Sequence, residues 1–195
     1  MKIDRRFFRQ ETLEVAKQLL GTKIVRQQGE ITLSAMIVET EAYVGPNDSA
    51  CHAAKGKTQR TQIMFGEAGH AYIYFVYGMH YMFNIVTESV NFPAAVLIRA
   101  AEPLEGIQHM IRHRKNQHKN LCNGPARLCQ ALAIDKALNG IDLTTNDKLW
   151  IEHHQAIKPT EIIRTTRIGI DYAEEKDRNA KWRFYLKNNS HISKL

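Results

Sequence analysis

Two different spacings of hydrophobic residues follow one another near the start of the chain. Over residues 10–20 the apolar side chains share one helical face, and Gly21 follows where a helix C-terminal cap is expected. Over residues 31–41 apolar and polar positions alternate, and a shorter strand-like segment at residues 23–26 precedes them across the turn residues 27–30. The pattern predicts a helix followed by a β-hairpin that ends at Glu41.

The middle of the chain changes from polar to strongly apolar. Residues 43–69 are rich in Gly, Asn, Asp, Lys and Thr and show little periodicity, which indicates a long ordered loop of the kind that carries function. Aromatic and β-branched residues fill residues 71–77 and 81–87 on either side of Gly78, and a further apolar run covers residues 94–100. These three runs predict strands, the first two joined by a tight turn.

Helical and strand-like patterns are mixed in the second half of the chain. Glu102-Pro103-Leu104 predicts the start of a helix through about residue 114, and Gly124-Pro125 the start of another through Leu138. Strand-like stretches follow at residues 149–152, 167–170 and 183–186. Because regular βαβ alternation is missing, we expect an α+β fold with a curved, mostly antiparallel, partly barrel-like sheet flanked by helices. No repeat or linker divides the sequence, so residues 1–195 are expected to form a single domain.

The charge balance favours a polyanionic partner. The chain carries 27 Lys+Arg against 20 Asp+Glu, a net charge of +7, although many basic proteins bind no nucleic acid. The most apolar stretch, residues 71–86, is interrupted by Gly78 and His80 and falls short of the roughly 18 apolar residues of a membrane span. The first residues contain no apolar stretch typical of a signal peptide. We expect a cytoplasmic protein with no membrane role.

Metal and cofactor signatures are absent from the sequence. Cys51, Cys122 and Cys129 form neither an even disulfide set nor a CxxC pair, and the nine histidines do not specify a metal cage. Motifs for nucleotide phosphates, zinc proteases, dinucleotides and serine hydrolases are missing, as is that of the zinc deaminases. The sequence therefore predicts no metal and no cofactor.

Two carboxylates and an arginine are candidates for chemistry. Glu39 and Glu41 lie two positions apart in a predicted strand, so their side chains share one face. Carboxylates at a sheet edge are more often simply solvated, and their spacing does not distinguish one from the other. Arg99 ends an apolar strand, where a buried guanidinium would need a carboxylate or phosphate; Glu41 or Glu102 could serve, and a side chain reaching solvent is the plain alternative.

Aromatic residues suited to stacking on bases are concentrated in one part of the chain. They are Tyr43, His52, Tyr72, Tyr74, Tyr77 and Tyr81. Tyr72 and Tyr74 share a strand face, where core packing could be their only role. Tyr77 lies beside Gly78 at a predicted turn tip, where an exposed ring could wedge into a base stack.

Basic residues that could meet phosphates lie in two places. Lys55, Lys57 and Arg60 belong to the long loop, and Arg127 follows the predicted helix start at Gly124-Pro125. Many helices begin this way without any ligand. These four residues are the phosphate-binding candidates.

One segment, residues 38–46, reads VETEAYVGP, and His52 follows it. This segment closely resembles the alkyladenine (3-methyladenine) DNA glycosylase family. The resemblance continues through residues 64–65, 72–79, 84–85, 96–100, 102–106, 121–125, 128–132 and 183–185. Ordered matches over most of the chain are far more specific than any single short motif.

The resemblance implies an activity. A monofunctional, metal-independent hydrolase would flip alkylated or deaminated purines of the 3-methyladenine, 7-methylguanine and hypoxanthine class out of double-stranded DNA. It would then hydrolyse the N-glycosidic bond in base excision repair, acting as a monomer. The sequence shows no long N-terminal extension and in this respect resembles bacterial members of the family. The resemblance therefore implies a cytoplasmic, nucleoid-associated protein. The residues alone leave two alternatives: a non-catalytic binder of lesions or nucleic acid, and a nucleosidase acting on free nucleosides.

The resemblance also implies roles for individual residues in catalysis. Glu41 would be the general base that activates the attacking water, and Arg99 would help to hold that water. Tyr43 and His52 would flank one side of the flipped base, and Tyr74 the other.

Further roles concern specificity and the DNA. Asn84 would clash with the exocyclic amine of normal guanine, while Leu97 and Ile168 would line the pocket. The residues implied to insert into the duplex or lie against its groove are Tyr77, Met64 and Met79. The sequence departs from the vertebrate pattern at His80 and at Asp171-Tyr172, which puts the groove contacts and the lesion range in doubt.

Overall fold

The computed structural model describes residues 1–194, which form helices and one branched sheet. The helices are α1 (Arg5–Phe8), α2 (Thr12–Gln18), α3 (Ile107–His113), α4 (Pro125–Ala131) and α5 (Glu175–Arg178). The strands are β1 (Lys23–Gln28), β2 (Ile31–Val44), β3 (Ala71–Val76), β4 (His80–Val86), β5 (Ala94–Glu105), β6 (Leu149–Glu152), β7 (Ile162–Thr165) and β8 (Arg183–Leu186). Short 3₁₀ helices span His52–Lys55, Gln62–Phe65, Lys136–Leu138 and Pro159–Glu161.

The sheet is organised around β2, whose 14 residues make it the longest strand. The hydrogen-bonded order is β3-β4-β5-β2-β1-β6, with β8 pairing to both β2 and β7. Strand β5 runs along one edge of β2, while β1 pairs with its first half and β8 with residues 39–41 of its second half. Every pairing is antiparallel, and β3 and β6 end the path, so the sheet stays open. The predicted α+β class with a mostly antiparallel sheet is confirmed.

Helices pack against the centre of this sheet and bury it. Helix α2 lies against β2 and β5, where the hydroxyl of Thr40 donates to the carbonyl of Ala16 over 2.8 Å. Helix α4 packs on β4 and β5, and α3 packs on α4 and β2. Residues 33–42 of β2 are consequently buried without interruption, polar residues included. Burial of polar side chains is strongly destabilising unless each one has a hydrogen-bond or ion-pair partner.

The predictions for the first half of the chain are largely confirmed. Helix α2 occupies the predicted helical segment, and Gly21 follows it with φ of +82°. The hairpin forms from β1 and β2, although β2 runs three residues beyond Glu41 to Val44. Strands β3 and β4 pair around Gly78, and the loop before them contains two of the 3₁₀ helices.

The prediction of a helix starting at residues 102–104 is wrong. Strand β5 continues through Glu105 because these residues pair with the first half of β2, Glu102 lying opposite Met36. Helix α3 begins only after Gly106, which has φ of +70°. A Cβ on Gly106 would lie 2.4 Å from Leu33 Cδ2, so this close approach of backbone to side chain requires glycine.

Two further predictions need correction. Helix α4 stops at Ala131 instead of reaching Leu138, because Ala133 takes φ of +48° and the Ile134 amide bonds back to the Cys129 carbonyl over 2.8 Å. Residues 167–170, predicted as a strand, form a bend, and the strand here is β7, five residues earlier. Among the described residues no helix is long and apolar enough to cross a membrane.

Candidate active site

A cavity of about 300 Å³ opens between the β3–β4 hairpin, β5 and the segment after β7. Its lining includes every residue that was predicted for a base pocket, and Arg99 as well. These residues are Tyr43, His52, Tyr74, Asn84, Leu97, Arg99 and Ile168. They come from segments more than 100 positions apart in the chain, and the antiparallel pairing of β2, β4 and β5 brings them together.

Glu41 lies directly behind the wall of this cavity and is 0% exposed. Its Oε2 accepts hydrogen bonds from the Tyr43 hydroxyl at 2.9 Å and from Arg99 Nη1 at 3.2 Å. Its Oε1 accepts the backbone N–H of Ile168 at 2.7 Å. All three donors belong to residues that line the cavity, so the carboxylate is fixed against the cavity by three bonds.

Arg99 bridges the two carboxylates of β2. Its Nη1 meets Glu41, and its Nε lies 3.5 Å from Oε1 of Glu39, which is also 0% exposed. Burial alone would lower the pKa of Arg99, but Glu41 and then Glu39 more than compensate and hold this pKa above its ordinary value. Arg183 adds a second cation, with Nη1 2.8 Å from Glu39. The buried charges are therefore mutually paired, as burial requires.

A second buried ion pair fixes the aromatic wall. Arg167 donates from Nη1 and Nη2 to the two carboxylate oxygens of Asp48 at 2.6 and 2.9 Å, and both side chains are 0% exposed. The guanidinium lies 4.8 Å from the ring centroid of Tyr43 and 4.9 Å from that of Trp182. Tyr43 is thus held by a cation–π contact on its ring as well as by the bond to Glu41.

Three rings pack together in another part of the lining, so His52 lies beside Tyr74, whereas the two were expected on opposite sides of the base. His52 and Tyr74 meet edge to face with ring centroids 4.5 Å apart, and Nδ1 of His52 lies 3.1 Å from the Tyr72 hydroxyl. Burial, with a smaller contribution from Arg60, lowers the pKa of His52 to about 4, so its imidazole is neutral at physiological pH. Burial raises the pKa of Tyr72 to about 12 and also raises that of Tyr74. The pocket rings are therefore uncharged.

Asn84 and Met64 are held within the cavity wall. Asn84 is 3% exposed, and its amide donates to the Tyr72 carbonyl at 3.0 Å, which fixes the orientation of the side chain. Met64 is 2% exposed and packs with Cys51 and Tyr72. This position lends no support to the predicted contact of Met64 with a DNA groove, because the side chain faces the interior.

The tip of the β3–β4 hairpin is the most exposed part of the site. Tyr77 and Gly78 both have positive φ, +52° and +66°, as the central residues of a type I′ turn do. Tyr77 is 86% exposed, Met79 65% and Phe75 50%. A non-glycine residue rarely takes this conformation, and the turn holds the Tyr77 ring out into solvent at the rim of the cavity.

The predicted phosphate-binding residues are all exposed. Lys55 ends the 3₁₀ helix that carries His52, and Lys57 Nζ lies 5.9 Å from the Phe65 ring centroid. Arg60 lies over the Tyr74 ring at 5.0 Å, and Arg127 donates to Asn123 at 2.9 Å. These positions leave the side chains accessible to DNA, and their contact with phosphates stays a prediction.

Four residues that line or support the site had no assigned role in the predictions, although Tyr72 was among the stacking candidates. Tyr72 lines the cavity, and Tyr172, 69% exposed, donates its hydroxyl to the Ala50 carbonyl at 3.1 Å across the cavity mouth. Tyr72 shared a strand face with Tyr74, which was a usable signal. No local pattern marks Asp48 and Arg167, which are separated by 119 positions.

Comparison with known proteins gives consistent matches. The model of the methylpurine-DNA glycosylase family matches residues 6–190. A protein of Methanocella arvoryzae is 48% identical over 194 residues, covering 98% of this chain and 96% of its own length. Proteins of Clostridium perfringens and Alkaliphilus oremlandii are 45% and 48% identical over 205 and 204 residues, with both chains covered in full. All three carry the name "Putative 3-methyladenine DNA glycosylase".

The chain belongs to the methylpurine-DNA glycosylase family, since the family match covers nearly all of it. It is accordingly a hydrolase that cleaves N-glycosidic bonds in DNA and serves base excision repair of alkylation damage. The predicted family, enzyme class and DNA substrate are confirmed. This excludes the alternative of a non-catalytic binder.

Proposed function

We propose that this enzyme removes 3-methyladenine, 7-methylguanine and hypoxanthine from double-stranded DNA after rotating the damaged nucleotide into the cavity. The observation that carries the proposal is the cavity itself, with aromatic rings and Arg99 in its lining and Glu41 hydrogen-bonded to Arg99 behind that lining. About 300 Å³ is at the lower end of the range of small-ligand sites, which suits a single base. The names of the relatives support the 3-methyladenine part.

The electrostatics of the pocket suit a cationic base. Purines alkylated at N3 or N7 carry a positive charge while they are bonded to the sugar, and the electron-rich faces of tyrosine rings attract cations. The tyrosines are protonated and His52 is neutral, so these rings add no charge that would repel such a base. Neutral hypoxanthine gains no such attraction and would depend on stacking and on its weaker base pairing.

The chemical step depends on the ability of Glu41 to accept one more hydrogen bond. An ionised carboxylate has about four acceptor directions, and the described residues supply three donors, one of them to Oε1. A water bonded to Oε1 could be oriented towards C1′ of the flipped nucleotide. As the bond from C1′ to the base nitrogen breaks, its electron pair passes to the base, the water oxygen bonds to C1′ and a water proton passes to Glu41. A cationic base then leaves neutral, whereas neutral hypoxanthine takes up a proton from solvent as it leaves. The carboxylate also stabilises positive charge on the sugar.

The exposed hairpin tip fits the role of opening the duplex. Tyr77 would enter the space left by the flipped nucleotide, with Met79 beside it against the groove. Lys55, Lys57 and Arg127 would neutralise flanking phosphates. We infer that one copy of the chain suffices and that it works in the cytoplasm at the nucleoid. Sedimentation of the protein with and without a lesion duplex tests the monomer.

The test is base release from duplexes that each carry one lesion, under single-turnover conditions. Glu41→Gln keeps the shape of the side chain and removes the base, so we expect the rate to fall about 10²- to 10⁴-fold with the affinity for DNA retained. Glu30→Gln, the same change in the exposed turn between β1 and β2, is the matched control. Full activity of Glu41→Gln would refute the catalytic role. A panel of lesions, normal bases and free nucleosides defines the substrate range.

A further inference from the structure

The segment that follows β8 folds back beneath the active site. Ser193 holds Glu39 with two hydrogen bonds: its backbone N–H donates to Oε2 at 2.6 Å and its hydroxyl to Oε1 at 3.0 Å. Glu39 does not line the cavity, so this contact lies one layer behind the surface that a base would touch. Ser193 and Glu39 are 154 positions apart in the sequence.

Ser193 also reaches Arg99 directly. Its Oγ lies 3.4 Å from Nε of Arg99, the same nitrogen that lies 3.5 Å from Glu39. The opposite end of the guanidinium, Nη1, meets Glu41. A planar guanidinium that is held on two edges has a fixed orientation, whereas one held on a single edge can swing about that contact.

Glu39 has a cationic partner besides Arg99. Arg183 already pairs with Glu39 at 2.8 Å, and Arg183 is in turn held by the carbonyl of Lys194 at 2.9 Å. What Ser193 adds is direction, because it fixes both carboxylate oxygens and so keeps Glu39 turned towards Nε of Arg99. Without the hydroxyl, Oε1 of Glu39 keeps Arg183 as its close partner, and Nε of Arg99 loses its contact with Ser193 Oγ.

We propose that Ser193 is a positioning residue: by fixing Glu39 it aligns Arg99 against Glu41, so the segment that follows β8 supports the active site from behind. The proposal rests on the proposed roles of Glu41 and Arg99 in base release. It assigns Glu39, the carboxylate that local spacing could not distinguish from Glu41, to the support of Arg99.

The experiment measures single-turnover base release and DNA affinity for Ser193→Ala, which loses the hydroxyl and keeps the N–H. We expect the rate to fall about 10-fold, the usual effect of losing one hydrogen bond to a charged group, while Kd for the lesion duplex stays unchanged. Ser193→Thr keeps a hydroxyl and should release bases at the wild-type rate. In a Glu39→Gln background, Ser193→Ala should cause little further loss, because the two residues act in series.

The matched control is Ser34→Ala. Ser34 is a buried serine of β2 whose hydroxyl donates to Glu105 at 2.9 Å, at the other end of the β2–β5 pair. If Ser193→Ala and Ser34→Ala lower the thermal midpoint and the rate equally, Ser193 is merely structural and the proposal is overturned. An unchanged rate in Ser193→Ala, with wild type active and Glu41→Gln inactive, overturns it but leaves the proposed function intact. If wild type releases no base from any lesion, the proposed function itself fails.

Discussion

Glu41 and Tyr77 belong to the same site and differ in exposure: Glu41 is 0% exposed behind the cavity lining, and Tyr77 is 86% exposed at the cavity rim. The carboxylate of Glu41 has three hydrogen-bond donors, and its neighbours are themselves bonded to further buried groups. The Tyr77 ring extends into solvent from the three-residue connection, residues 77–79, between β3 and β4. Hydrogen-bond partners therefore hold the Glu41 side chain in place, whereas only the backbone conformation positions the Tyr77 ring.

This difference separates stability from function. A buried charge that loses its partner is destabilised because it is no longer solvated by water or by an opposite charge. Substitutions among the buried charged groups around Glu41 should therefore weaken the fold as well as the reaction. An exposed side chain has little to lose on truncation, so substitutions at the tip should affect only events on DNA. Three substitutions probe this contrast, from the largest expected change in the free energy of unfolding to the smallest.

Asp48→Ala should have the largest effect. It leaves Arg167 buried without its carboxylate and frees the Val44 and Ala50 amides that Asp48 also binds. Breaking a buried pair typically costs about 3–5 kcal/mol, measurable by urea unfolding. The control is Glu174→Ala, which breaks an exposed pair with Lys176 and should change nothing measurable. Equal stability of the two variants would contradict a structural role for the Arg167–Asp48 pair.

His52 should give a smaller effect that depends on pH. Folding lowers its pKa from 6.5 to about 4, so the unfolded chain binds a proton more readily. The stability from its neutral form is complete above pH 6.5 and is lost as the pH falls towards 4, by about 2 kcal/mol after allowance for solvent contact. His52→Gln should remove this part of the acid sensitivity. Unfolding curves at several pH values test this prediction. If the free energy of unfolding changed equally with pH in both proteins, folding would not lower the pKa of His52.

Tyr77→Ala should have the smallest effect on the fold. We expect the free energy of unfolding to change by less than about 1 kcal/mol, because the ring is exposed and the backbone keeps its positive φ. Base release should nevertheless slow, and by more than nonspecific DNA binding weakens. Tyr77→Phe keeps the ring and should behave as wild type. Equal losses of base release and nonspecific binding in Tyr77→Ala would refute the wedge role.

The parts of the site that could be predicted are those that depend on patterns within a short segment of the sequence. Alternation along residues 31–41 gave the strand of Glu41, and aromatic strands around Gly78 gave the tip with Tyr77. The resemblance over VETEAYVGP then chose Glu41 over Glu39. Each of these signals lies within a short stretch of chain, where periodicity and turn chemistry are sufficient.

The remainder depended on contacts that no short stretch contains. The continuation of β5 through Glu105 was hidden because Pro103 looks like a helix start, and only pairing with β2 overrides that preference. Residues 167–170 were predicted as a strand, yet the Ile168 amide donates to Glu41 and not to a neighbouring strand. The partnership of Asp48 with Arg167 likewise exists only once the chain has folded.

The wide sequence separation of the groups behind the cavity has a consequence for how the protein folds. Ile168 and Glu41 are 127 positions apart, and Ser193 and Glu39 are 154 apart, whereas β1 and β2 are neighbours joined by a tight turn. Contacts that close long loops lose more chain entropy before they gain energy, so they tend to form late. In refolding, the β1–β2 hairpin should therefore appear early, and recovery of base release should report the final stage.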